Sequence, residues 1–210
     1  MSSLTKEPLL ELQKVHGLPG WVAQWTASEG FQILFTEQSL LPVSSADSDC
    51  IVVFDGFIQN REELVVEIDK GPIRYENDAD LARFAFSKWQ EEIVYKLRGV
   101  FSFAIWDKRK NVLLFVRDHC GIYPAFYAKN GSQVIFSTSP ADIVRHPKVS
   151  SSLNRSSFVD FLCHRRPVPE ETFYAQIKRV LPGHAVRFSN GSEETIRYWY
   201  STPPDGIQEY

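Results

Sequence analysis

The 210-residue sequence is poor in cysteine, holding only three, and has a single methionine. Cys50, Cys120 and Cys163 are odd in number, widely spaced and form no Cys-x-x-Cys pair. That pattern argues against a disulfide framework and against a zinc site, and predicts reduced thiols in a cytoplasmic setting. An excess of either charge is also missing. Twenty-three Lys and Arg stand against 26 Asp and Glu, a net charge of −3. Neither nucleic acid nor an anionic membrane is expected as the main partner of so balanced a chain. No apolar run approaches the roughly 20 residues of a membrane span. The start, MSSLTKEP, lacks the basic residues and apolar stretch of a signal peptide. His16, His119, His146, His164 and His184 show no metal-ligand spacing, so no metal or other cofactor is expected in this chain. Internal repeats, low-complexity segments and a GxxxxGK[ST] phosphate loop are absent from the sequence too. What is present is apolar and aromatic: 43% hydrophobic residues, with 5 Trp, 8 Tyr and 15 Phe. Such a chain can fill a sizeable core, which excludes intrinsic disorder.

Along the chain, Leu9, Leu12 and Val15 predict a short amphipathic helix over residues 4–15, broken by Gly17 and Pro19-Gly20. Residues 21–25 and 31–35 read as strands, and 44–49 as a polar loop. The run CIVVF from Cys50 to Phe54, ending at Asp55-Gly56, suits a strand covered on both faces. Helices are predicted over 60–68 and from Asn77-Asp78 to about 97, the second with Leu81, Phe84, Ala85 and Trp89 on one stripe and Asn77 or Asp78 as N-cap. Strands follow at 100–106, 112–116, 124–128 and 134–137, then helices at 139–145 and 156–163. A last strand pair, 184–188 and 195–199, turns over Ser189-Asn190-Gly191-Ser192. Leu181-Pro182-Gly183-His184 fits a type II turn. Strands clustered at both ends with helices between them disfavour a doubly wound βαβ sheet. The expectation is an α+β fold of two stacked antiparallel sheets with helices outside. Residues 1–18 read as an N-terminal extension, 19–200 as one domain, and 201–210 as the start of a linker or tail.

Several words in order carry a resemblance: FDGFIQNREEL at 54–64, NDAD at 77–80, LRGVFSFAIWD at 97–107 and RDHCGIYPAFY at 117–127. FSTS at 136–139, LPGH at 181–184 and Tyr198-Trp199 continue it. Together they resemble the N-terminal glutaminase domain of asparagine synthetase, a class II glutamine amidotransferase, over roughly residues 20–200. The resemblance implies the N-terminal-nucleophile (Ntn) hydrolase fold, a four-layer αββα sandwich. Arg117-Asp118 has a catalytic look, but ending a strand beside a turn it is expected to form a structural ion pair instead. Because the shared words are mainly architectural, they say little about retained activity.

The family's reaction needs a cysteine at the mature N-terminus, whose thiolate attacks the glutamine amide while its own α-amino group acts as base. Here Ser2 stands at position 2 and no cysteine precedes Cys50. The strand that should begin with the nucleophile matches GWVAQW at 20–25, which puts Pro19 at the nucleophile's place. The family's substrate-carboxylate arginine has no counterpart between Trp21 and Phe54, where there is no arginine at all. Its oxyanion-hole Asn-Gly appears as Asp55-Gly56, and the Glu after that Gly is Phe57. An ionised carboxylate cannot donate a hydrogen bond, and at 4 Å it repels an oxyanion by roughly 4 kcal/mol for an effective dielectric of about 20. Only Asp78 matches the family's receptor for the substrate's α-amino group.

The leading expectation is therefore a glutamine amidotransferase-like domain of an ATP-dependent amide-forming system, without glutaminase activity. Asp55, Gly56, Asp78 and Asp80 would mark a vestigial substrate pocket. The resemblance extends to β-lactam synthetases and lasso-peptide cyclases, relatives that lost glutaminase chemistry. It implies an ATP-pyrophosphatase synthetase domain as partner, in the same chain or a separate one, and leaves a homodimer open. A second reading is a binding module for an amino acid or amine, with Asp55, Asp78 and Asp80 converging on a cationic group; the bland counterpart is that these residues cap a helix and end a strand. A third is an active glutamine hydrolase with Ser2 as nucleophile. His164-Arg165-Arg166 reads as a solvated basic turn or a small anion site.

Overall fold

Apolar runs in the middle of the chain become paired strands covered on both faces. The computed structural model describes residues 9–14, 21–26, 28, 30–35, 43–44, 49–68 and 75–201. Its strands are β1 (Leu9–Lys14), β2 (Trp21–Thr26), β3 (Gly30–Phe35), β4 (Val43–Ser44), β5 (Cys50–Ile58), β6 (Gly99–Asp107), β7 (Val112–Arg117), β8 (Phe126–Asn130), β9 (Gln133–Ser137), β10 (Ile177–Arg179), β11 (His184–Ser189) and β12 (Ser192–Arg197). Its helices are α1 (Arg61–Ile68), α2 (Asp78–Trp89), α3 (Pro140–Val144) and α4 (Arg155–Leu162), with a 3₁₀ stretch over Gln90–Tyr95.

Two six-stranded sheets form, in the orders β1-β3-β2-β9-β8-β10 and β12-β11-β7-β6-β5-β4. All pairings are antiparallel except β1 with β3. The two-residue period of β5 explains why its run carries no polar break. Val52, Phe54 and Ile58 face α2, packing with Leu81, Ala82 and Ala85. Ile51 and Val53 face the other sheet, packing with Trp21, Trp25 and Phe136. A third cluster joins Val22 and Ile135 to Ile143 of α3. The layer order is thus helix, sheet, sheet, helix: the α+β sandwich that the sequence led us to expect.

The turns follow their residues. Ser189 pairs with Ser192 around Asn190 and Gly191, both at positive φ (47° and 79°), which is the type I′ geometry of a two-residue hairpin. In the predicted type II turn His184 N–H donates to the Leu181 carbonyl at 3.2 Å, with Gly183 at φ 67°. At the start of α2, Asn77 Oδ1 accepts from Asp80 N–H at 3.0 Å while Asp80 Oδ2 accepts from Glu76 N–H at 3.2 Å. Two otherwise orphaned donors are satisfied reciprocally.

Two expectations are corrected. Residues 9–14 are not helical; they form β1, in parallel register with β3 from Leu9↔Gly30 to Lys14↔Phe35. The letters Leu10-Glu11-Leu12-Gln13 fit a period of two as well as one of 3.6, and pairing with a sheet edge decides a segment too short to hold a helix alone. The predicted single helix to about residue 97 ends at Trp89, because Gln90 takes a positive φ of 52° and the chain continues as 3₁₀. Ser2, Pro19-Gly20, the loop over 45–48 and the tail from 202 lie outside the described residues.

His146 carries a pH prediction. Its Nδ1 accepts from Lys148 N–H at 3.3 Å, and its Nε2 faces Gln24 Oε1 at 2.8 Å, an arrangement suited to the neutral ring with the proton on Nε2. Burial, reinforced by the charge of Lys148, pushes its pKa below the ordinary value. The unfolded chain therefore takes up the proton first as pH falls. Stability contributed by the neutral ring is expected to be full above pH ~6.5 and to drop as pH falls from there toward the lower folded value. Urea midpoints measured at pH 7.5 and 5.5 should differ less in His146→Gln than in the native protein.

Candidate functional site

Where the two sheets meet at one end, a half-buried carboxylate from one is met by donors from the other and from the loop between β7 and β8. Asp55 sits near the end of β5, on the face turned toward β2 and β9. The buried Trp21, first residue of β2, donates its indole Nε1–H to Asp55 Oδ2 at 2.8 Å. Thr138, one residue past β9, donates its hydroxyl to the same oxygen at 3.2 Å. Tyr123 donates its hydroxyl to Oδ1 at 2.6 Å. Burial first, then this bond and the charge of Asp55, push the Tyr123 pKa well above the ordinary phenol value, so the hydroxyl remains a donor. Three neutral donors thus meet one anion, and both its oxygens are engaged.

The loop that aims Tyr123 is built by Arg117 and Asp118. Asp118, itself buried, accepts from the backbone N–H groups of Cys120 and Ile122 at 3.1 Å each and of Tyr123 at 2.7 Å. Arg117 donates to the carbonyls of Tyr123 (2.7 Å), Gly121 (2.6 Å) and Val180 (2.9 Å). Burial lowers the guanidinium's pKa, and the neighbouring Asp118 charge opposes that. The expected ion pair between the two side chains is not formed. Each instead satisfies backbone groups of a turn that has no ladder of its own, which is a larger need than a mutual contact would meet.

Asp78, the first residue of α2, is also fully engaged. Its Oδ2 accepts from Ile58 N–H at 2.9 Å, and Arg61 donates to both oxygens at 2.6 Å, Nε to Oδ1 and Nη2 to Oδ2. The carboxylate is buried while the Arg61 side chain is about 43% exposed. The hydrogen bond to Asp78 raises the arginine's pKa, with burial opposing. Asp80 serves the α2 cap. Gly56 brings the β5 backbone against β6 in a left-handed conformation, φ 118°.

Asp55, Asp78 and Asp80 therefore each answer to separate partners within the fold. Trp21, Tyr123, Thr138 and Arg61 are the residues that sequence reasoning missed. Arg61 was legible in principle, since it follows Asn60 within a shared word; Thr138 and Tyr123 stand inside shared words with no sign that they meet Asp55. Ser2 lies outside the described residues. Cys50 is buried in the paired β5, whereas Cys120 and Cys163 are exposed and free.

A family model of the glutamine amidotransferase domain matches residues 31–199. The glutamine-hydrolysing asparagine synthetase 3 of Bacillus subtilis is 30% identical over 151 residues, covering 70% of this chain and 25% of that protein. Asparagine synthetase 1 of the same organism is 25% identical over 170 residues, 80% of this chain and 27% of that one. The chain spans about a quarter of the length of these curated relatives. Among solved structures, the glutamine phosphoribosylpyrophosphate amidotransferase of B. subtilis, complexed with ADP and GMP, superposes with a TM-score of 0.50 at 11% identity, over 77% of this chain and 32% of that one. An allosteric regulatory enzyme of purine biosynthesis gives 0.51 at 12% identity, over 84% and 34%. At such identities the likeness speaks for the fold alone. No helix among the described residues is long and apolar enough to cross a membrane.

Proposed function

The chain belongs to the class II glutamine amidotransferase domains of the asparagine synthetase family, and from that premise we propose that it no longer hydrolyses glutamine and acts as the packing partner of an ATP-dependent amide-forming synthetase. The observation that carries the reading is Asp55. At the position where the family presents a donor to the developing oxyanion, this protein holds an acceptor whose two oxygens are bound by Trp21, Thr138 and Tyr123. A carboxylate so held opposes negative charge instead of stabilising it.

Asp78 supports the same reading. Arg61 gives it an internal cation, in the role that the family leaves to the substrate's α-ammonium group. A bound ammonium would have to displace a two-point pair within the fold. Residues 18–20, which lead into β2, are Leu, Pro and Gly, so no thiol or hydroxyl side chain stands at the head of that strand.

Ammonia release from glutamine by the purified protein tests the proposal, with intact mass recorded on the same sample. The expected result is no ammonia above a protein-free blank. Turnover abolished by Ser2→Ala would overturn the proposal in favour of a serine nucleophile. Turnover that survives Ser2→Ala would overturn it as well, and the mass would identify the residue that had become N-terminal.

A further inference from the structure

Helix α4 turns its apolar side away from the body of the protein. Its sequence RSSFVDFL contains four large apolar residues, yet its one buried residue is Ser157. Val159, Phe161 and Leu162 are 51%, 57% and 59% exposed. By contrast α2, of similar composition, buries Leu81, Ala82, Ala85 and Phe86. Phe173 continues the patch from the following segment, meeting Phe161 edge-on at 5.3 Å and Phe158 at 6.1 Å. Beside these rings a cavity of about 330 Å³ opens, walled by Phe161, Phe173, Phe126, Pro140 and Pro167. An exposed apolar patch next to an apolar pocket is the anatomy of a protein interface, the pocket receiving an anchor side chain.

The patch is also held in place. Glu171 accepts from Asn154 Nδ2 at 2.9 Å and from the Ser157 hydroxyl, fastening the segment after α4 to the start of the helix. The helix exit is fixed by Arg165 N–H donating to the Asp160 carbonyl at 2.8 Å, with His164 at φ 52°. This turn presents His164, Arg165 and Arg166 to solvent at the rim of the patch. The exposed turn itself, residues 164–167, carries Arg165 and Arg166 and no acidic residue; Glu170 and Glu171 follow it, with Glu171 turned to Asn154 and Ser157. Two copies of this face would bring their basic rims together, whereas an acidic-rimmed partner would be complementary.

We infer that the α4 face is the docking surface for the synthetase partner, taking an aliphatic or aromatic anchor of that partner in the pocket and acidic side chains against Arg165 and Arg166. The inference rests on the functional reading above. The relatives of which this chain spans about a quarter leave roughly three-quarters of their length for another structure to be matched.

The test titrates the purified protein with the same organism's asparagine-synthetase-type chain, by calorimetry at 50 and 300 mM salt. Val159→Glu and Phe161→Glu are each expected to weaken binding at least tenfold. The double change Arg165→Glu with Arg166→Glu should weaken it and flatten its salt dependence, and Val66→Glu on the exposed side of α1 should leave it unchanged. The charge-reversal pair touches no core residue, so it remains decisive even where a buried-edge variant fails to fold. Binding that ignores every α4 change would overturn the docking face while leaving the partnership standing. No binding by the native chain would overturn both. A homodimer of the native chain that Phe161→Glu dissociates would show a second copy covering the face and would also overturn the inference.

Discussion

Gly56→Ala is expected to lower the thermal midpoint by roughly 10 °C or more, at a cost above about 4 kcal/mol. A Cβ built on Gly56 would stand 2.2 Å from the Val100 carbonyl oxygen and 2.7 Å from the Phe101 Cα. Both are backbone atoms of β6, the strand with which β5 shares its whole length from Cys50↔Asp107 to Ile58↔Gly99. Neither can rotate away as a side-chain tip would, so relief requires parting β5 from β6. The φ of 118° adds strain that only glycine avoids. Gly131→Ala is the control: nothing lies within 4 Å of its added Cβ, and only its φ of 60° is unfavourable, a cost of about 1–2 kcal/mol. Calorimetric melts of the two variants should separate a steric effect from a conformational one. A Gly56→Ala midpoint no lower than that of Gly131→Ala would mean that β5 and β6 lie further apart than the structure places them.

The fold was largely legible where local and long-range demands agree. The runs at Cys50–Ile58, Gly99–Asp107 and Val112–Arg117 are apolar at both parities, because one parity fills the space under α2 and the other the space between the sheets. Asn190-Gly191 and Pro182-Gly183 specify their turns through φ alone, so neighbours add nothing to the signal. Legibility failed at β1. Six residues with three leucines satisfy either period, and what decides is a parallel partner some twenty residues away, which no window of the sequence contains. It failed at Gln90 for a related reason: the helical stripe runs through Trp89 toward Val94, but packing Ile93 and Val94 against the same core needs a break in direction.

The site was legible as chemistry and not as geometry. The resemblance implies a donor position at Asp55 and a receptor for an amino group at Asp78, so both stand out as candidates from the letters alone. What the letters do not reveal is that each already has its own counterpart. Arg61 is three residues past Ile58, close enough for its guanidinium to reach a carboxylate whose other bond is to the Ile58 amide. Tyr123 and Thr138 are brought to Asp55 from 68 and 83 residues away along the chain. Arg117-Asp118 shows the same limit. Adjacent opposite charges suggest each other as partners, whereas a turn full of unpaired backbone groups claims both.

Asp55→Ala is expected to cost about 3 kcal/mol, since it strips the acceptor from three donors at once and hydrogen bonds to a charged group contribute roughly 1.5–3 kcal/mol each without adding in full. The partial exposure of the site lets water recover part of the loss, which keeps the figure well below the sum. Asp55→Asn should cost only about 1 kcal/mol. The amide oxygen can still accept from Trp21 Nε1 and the Thr138 hydroxyl, which share Oδ2, and the amide nitrogen would face Tyr123. A phenol oxygen accepts as well as donates, so that contact survives with its direction reversed. A non-acceptor of similar size, Asp55→Leu, should behave like alanine or worse, because it keeps the volume and removes every bond. Urea unfolding of the three variants orders these expectations. An asparagine variant as unstable as the alanine one would mean that the negative charge itself, and not the geometry of acceptance, joins the two sheets. The same variant also bears on the proposed function, which reads Asp55 as standing where the resemblance implies an asparagine. On the function proposed above, ammonia release from glutamine by Asp55→Asn is expected to remain at the level of the blank; turnover in that variant alone, with none in the native protein, would make Asp55 by itself the cause of the inactivity.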